Sequence, residues 1–162
     1  MTSALVLIDL MPRIVALPLA PYSGADVEGR CRQLATAFRA KGLPVVVVRV
    51  ERPNVDEQPP GSELVDGLRQ DGDIEIVKRT VGAFHGTGLD AHLRDRGVDT
   101  VVLAGLVTTM GVESTARAAS DHGYDVECVE DAMSGFAADE HAFAVERTLP
   151  RFGTVRTTAF YL

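Results

Sequence analysis

Apolar residues follow two patterns along this chain. Short, nearly continuous runs of Val, Ile and Leu alternate with stretches where apolar positions recur every three or four residues. Six runs have strand character: Ala4 to Ile8, Pro44 to Val48, Ile74 to Val77, Thr100 to Ala104, Asp125 to Val129 and Thr154 to Arg156. Most are apolar throughout, as strands covered on both faces are. Between them, Asp26 to Lys41 brings Val27, Cys31, Leu34, Ala35 and Phe38 onto one face, with Gly42 as a stop. Leu89 to Arg96 ends at Gly97, Met110 to His122 at Gly123, and Asp139 to Leu149 before Pro150, which predicts three further helices. The Pro-containing segments Met11 to Gly24 and Glu51 to Gly61 read as surface loops over strand ends. This alternation predicts one α/β domain over residues 1–162, a doubly wound six-stranded parallel sheet in a three-layer α/β/α sandwich.

Composition narrows the setting. The chain has 162 residues, 46% hydrophobic and 24% charged, which suits one ordinary globular domain that needs no metal or disulfide to fold. Its longest apolar stretches, Leu43 to Val48 and Val101 to Val107, fall far short of the roughly 20 residues a membrane span needs. The amino terminus lacks a secretion signal, so a soluble, cytoplasmic protein is expected. A net charge of −7 without a basic run argues against nucleic acid and leaves a small molecule as the expected partner. Cys31 and Cys128 are isolated and have neither zinc-site nor redox-pair spacing.

In a parallel sheet the carboxyl ends of all strands share one edge, and ligands bind there beside the topological switch point. That rule sends Asp9 and Leu10, Glu51, Lys78 and the segment Gly105 to Gly111 to one cleft. Asp9 ends "ALVLIDL" and Lys78 ends "IEIVK". A buried carboxylate needs a partner or a proton, and Lys78 is the natural cation for it. A turn-capping Asp explains the same position from local structure alone. The run "VLAGLVTTMGVESTARAA" passes from strand through a Gly turn into a helix, so backbone N–H groups near Gly111 are expected at a helix amino terminus. There they favour an oxyanion or carboxylate, although ordinary crossover geometry accounts for the turn equally. A receiver domain also puts Asp and Lys at strand ends, but "LIDLMP" supplies one acid where that fold needs a pair.

Four segments together resemble the isochorismatase-like hydrolases, also called cysteine hydrolases, across nearly the whole chain. They are "LIDL", "VKRTVGAFHGT", "AGLVTTMGVESTARAA" and "GYDVECVEDAMSG". The resemblance implies a Rossmann-like fold and a catalytic Asp, Lys and Cys at the positions of Asp9, Lys78 and Gly111. The nucleophile is therefore missing. Glycine cannot perform thiolate catalysis, and Cys31 and Cys128 lie within a predicted helix and a predicted strand. The true isochorismatases are similar in carrying glycine at this place. They cleave a vinyl ether without a covalent intermediate, which makes Asp9 the implied acid.

By the same resemblance, Leu106–Val107 is a non-proline cis peptide that turns the Val107 N–H toward the cleft beside that of Gly111. Thr108 then fixes the turn. Phe84 is expected either as an apolar wall over a ring or as plain core packing, and His85 either reaches a polar group of the substrate or makes an ordinary cap or hydrogen bond. Glu51 and Arg52 are placed at the cleft mouth, where Arg52 either meets a substrate carboxylate or stays a solvent-exposed loop charge. Val107, Arg79 and Val81 depart from the aromatic residues that isochorismatases carry at the corresponding places. The loop "RVERPNVDEQPPG" holds no His, and His92, His122 and His141 have no ligand spacing. Solvated or capping roles are expected for those three, with no metal and no cofactor. Family habit implies a homo-oligomer, a dimer or a tetramer. Three functions stay open: acid-assisted hydrolysis of a small carboxylated enol ether, a catalytically silent binding or accessory protein, and hydrolysis or lyase chemistry with Asp9 as general base.

Overall fold

The structure, a computed structural model, describes residues 1–162. Strands β1 (Ser3–Ile8), β2 (Val45–Val50), β3 (Ile74–Lys78), β4 (Thr100–Leu106), β5 (Asp125–Ser134) and β6 (Thr154–Arg156) form one sheet in the order β3-β2-β1-β4-β5-β6. Every neighbouring pair is parallel. The expected six-stranded doubly wound sheet is present.

Alternation along β1 shows how the layers are built. Ala4, Val6 and Ile8 belong to the core on one face, whereas Leu5 and Leu7 belong to the core on the other. Helix α2 (Gly24–Ala40) covers the second face with Val27, Cys31, Leu34, Ala35 and Phe38. Helices α3 (Leu89–Asp95) and α4 (Glu113–Asp121) cover the first through Leu89, Leu93, Ala116 and Ala119. The crossover from β2 to β3 contains no helix, and Val65 and Leu68 bury its inner side on the α2 face instead. No helix is long and apolar enough to cross a membrane.

β1 and β4 are neighbours at the centre, where strand order reverses. Their loops leave toward opposite faces and open a crevice between the ends of the two strands. The pair can approach closely because residue 105 is glycine. A Cβ there would sit 2.3 Å from the Ile8 carbonyl oxygen, and Gly105 has φ +113°.

Local structure differs from the sequence expectations in four places. The segment Met11 to Gly24 contains a short helix, α1 (Pro12–Val15), with Pro12 in the first turn, where its fixed φ fits. β5 continues to Ser134, five residues beyond Val129. Glu130 and Asp131 interrupt its apolar run, while a register shift against β4 between Leu103 and Gly105 absorbs the irregularity. The helix expected from Met110 begins with a wide π turn over Thr108–Val112 before α4 starts. Helix α5 (Ala138–Phe143) likewise passes into a π turn, Ala144–Thr148.

Candidate active site

Asp9 follows the last residue of β1 and turns the chain there. Its φ of +52° lies in the left-handed region, a conformation that costs a non-glycine residue about 1–2 kcal/mol and that Asp tolerates better than most. Its N–H donates to the Val48 carbonyl at 2.9 Å, so the residue is fixed by the neighbouring strand. Lys78, the last residue of β3, brings Nζ to 2.9 Å from Asp9 Oδ2. The two residues are 6% and 2% exposed. Nζ also donates to the Val81 carbonyl at 2.6 Å and to that of Thr80 at 3.4 Å, so the ammonium is held in place. Asp9 Oδ1 is buried and has no hydrogen-bond partner. Burial raises the Asp9 pKa above its ordinary value of 3.8 and outweighs the opposing pull of Lys78 and, more weakly, of Arg13.

Gly111 lies against this pair. A Cβ at 111 would stand 3.5 Å from Asp9 Oδ2 and 3.4 Å from Lys78 Nζ, so a side chain here would point at both. It would also come within 2.8 Å of Ile8 Cγ2. The Leu106–Val107 peptide is cis. The Val107 carbonyl accepts from Met110 and Val112, whereas the Val107 N–H donates to no other protein group. Leu106, Val107 and Gly111 line the cavity.

Thr108 is wholly buried, and its Oγ1 lies 2.7 Å from Nδ1 of His141 on α5. This overturns the expectation of a solvated or capping His141. The ring is buried, burial lowers its pKa, and Nε2 has no partner. A second tie, unanticipated from sequence, is Thr115. Its hydroxyl donates to the Gly111 carbonyl at 2.6 Å and accepts from the Ala83 N–H at 3.1 Å, joining the Lys78 loop to the Gly111 turn.

That tie decides between the two readings of Phe84 and removes His85 from the cleft. With Ala83 pinned to α4, Phe84 enters the core and stacks on His122 at 4.8 Å, and His85 is left exposed. Neither residue lines the cleft. Its apolar surface comes instead from Met110, Phe136, Leu17 and Ile14, in a cavity of about 390 Å³, a volume suited to a small metabolite. Glu51 lines the same cavity, paired with Arg79 at 3.5 Å and Arg49 at 3.7 Å. Arg52 lies exposed at the mouth.

Arg13, on α1, also lines the cavity and was not singled out from sequence. Its only signal was its place in the loop after the first strand. Cys31 and Cys128 sit in opposite core layers, away from the cavity. Burial raises both thiol pKa values, that of Cys128 to about 12.

A conserved-domain description, the isochorismatase domain, matches residues 3–160. The chain is 40% identical to the isochorismatase family protein YecD of Escherichia coli O157:H7, over 96% of this chain and 92% of that protein. Its structure superposes on an isochorismatase family protein from Burkholderia thailandensis with a TM-score of 0.87 at 40% identity, covering 98% and 92% of the two chains. It superposes on N-carbamoylsarcosine amidase from Thermoplasma acidophilum with a TM-score of 0.85 at 31% identity, covering 98% and 97%. The chain belongs to the isochorismatase family of hydrolases.

Proposed function

We propose that this protein hydrolyses a small carboxylated enol ether, or a closely related metabolite, by acid assistance and without a covalent thiol intermediate. The observation that carries the reading is that buried Asp9 and side-chain-free Gly111 line the same cavity, so a substrate there meets a carboxyl and no nucleophilic side chain. Thiol-dependent amide cleavage has no nucleophile in this arrangement, because both cysteines are buried in the core.

In the proposed reaction Asp9 gives its proton to the methylene carbon of the enol ether, leaving an oxocarbenium ion. Water adds to the oxocarbenium carbon and returns a proton to Asp9. The resulting hemiketal breaks its original C–O bond and releases an alcohol and a keto acid. A raised pKa favours the protonated Asp9 that the first step requires. Lys78 holds Oδ2, and the free Val107 N–H can bind a substrate oxygen.

The test is incubation with isochorismate while pyruvate release is followed, comparing wild type with Asp9→Ala. Release by wild type and its loss in the variant are expected. No release above background from wild type would defeat the enol-ether reading and favour a silent binding protein.

A further inference from the structure

We propose that Arg13, rather than Arg52, holds the substrate carboxylate and sets the cavity's preference for anions. The inference uses the hydrolytic reading only to place the reacting bond near Asp9, since anion recognition requires no turnover.

Charge balance is the first argument. Four cationic side chains line the cavity, Arg13, Arg52, Lys78 and Arg79, against the two carboxylates of Asp9 and Glu51, in a chain whose net charge is −7. An excess of cations on the wall of an acidic protein draws an anion to that wall.

Hydrogen bonding then distinguishes the cations. Lys78 is committed to Asp9 and two carbonyls. Arg79 is mostly exposed and pairs with Glu51. Arg52 is also exposed, and what anchors its loop is a reciprocal pair of hydrogen bonds between its backbone and the Gln58 side-chain amide, with none to its guanidinium. Arg13 differs from all three. It is half-buried, and its Nε donates to Ser62 Oγ at 3.2 Å. Buried Ser62 is itself fixed by donating to the Pro59 carbonyl at 2.6 Å.

The backbone is anchored too. The Arg13 N–H donates to the Gly61 carbonyl at 3.2 Å, and a Cβ on Gly61 would come within 2.9 Å of that nitrogen. The loop is therefore packed against Arg13 in a way that requires glycine. What remains is the pair of Nη groups, which have no protein acceptor and no carboxylate within salt-bridge distance. A partly desolvated guanidinium with its fork free matches a carboxylate in bidentate geometry. Arg13 and Asp9 line the same cavity, so a ligand held by Arg13 shares that cavity with the acid. The apolar side of the cavity, with Met110 and Phe136, is left for the uncharged body of the ligand.

The test compares benzoate with benzamide, which share a ring and differ in charge, by isothermal titration or ligand-observed NMR. Wild type is expected to favour benzoate by about ten-fold or more, and Arg13→Gln to abolish that preference. Arg13→Lys, which keeps the charge without the fork, should retain part of it. Circular dichroism and thermal melting establish that each variant is folded. Should Arg13→Gln lose its fold, the Lys variant decides, because undiminished preference there contradicts fork recognition. Equal benzoate affinity in wild type and Arg13→Gln, including no binding by either, overturns the proposal. The two readings fail separately: a wild type that prefers benzoate through Arg13 yet releases no pyruvate from isochorismate keeps Arg13 as the anion site and defeats only the hydrolysis.

Discussion

Asp9 Oδ2 lies 2.9 Å from Lys78 Nζ, yet the carboxyl pKa is raised and not lowered. Burial outweighs the cation, because the carboxylate gives up more hydration than one ion pair restores. The pair thus keeps a proton on Asp9 further toward neutrality than an exposed carboxyl would. Removing the cation should push in the same direction. In Lys78→Met the Asp9 pKa is expected to rise further, measured by the pH dependence of its carboxyl ¹³C shift. A fall would mean that Lys78 acts on Asp9 other than through its charge.

Restoring a thiol at 111 is a test of geometry. Gly111→Cys should be less stable than wild type by about 1–3 kcal/mol, since its Cβ would press on Ile8 Cγ2 at 2.8 Å. Ile8→Leu removes that methyl at nearly constant volume and should recover part of the loss. The new thiol, close to Lys78, should react with iodoacetamide faster at neutral pH than a free cysteine, while Cys31 and Cys128 stay unreactive in the folded protein. Chemical denaturation and mass-resolved alkylation measure the two effects.

Thr115 is expected to matter to stability and activity together. Thr115→Val keeps the shape but leaves the Ala83 N–H without its acceptor and the Gly111 carbonyl without its donor. A loss of about 1–3 kcal/mol follows from the unsatisfied buried groups. Equilibrium denaturation reads it directly.

His141 makes stability depend on pH. Its folded pKa lies below the ordinary 6.5, so below pH 6.5 the unfolded chain takes up a proton that the buried ring does not. Its contribution is complete above pH 6.5 and is lost as pH falls through the lowered folded value. His141→Gln, which cannot titrate, should show a shallower fall in melting temperature between pH 6.5 and 5 than wild type. Parallel slopes would assign the acid sensitivity to other groups.

How legible all this was in the sequence varied with how local the cause was. β1 and β4 are buried on both faces, so their uninterrupted apolar runs showed as strands, and strand-end geometry then brought Asp9, Lys78 and Gly111 together. β5 was cut short because Glu130 and Asp131 break its pattern, and only the shifted pairing with β4 reveals that the strand goes on. Phe84 was left between cleft wall and core for a different reason. Its direction is set by a hydrogen bond from Ala83 to Thr115, 32 residues away, which no local pattern records. Arg13 carried no periodicity at all, and its part in the cavity depends on Ser62, far along the chain.

The central claim, that Asp9 acts as a buried acid beside an empty nucleophile position, is met most directly by the pH dependence of kcat/KM for pyruvate release from isochorismate. The account predicts a rate that falls as pH rises through an apparent pKa above the ordinary 3.8 of Asp, and a loss of about 10²–10⁴-fold in Asp9→Asn. A rate that instead rises with pH across that range, or an Asp9→Asn variant as active as wild type, would contradict it.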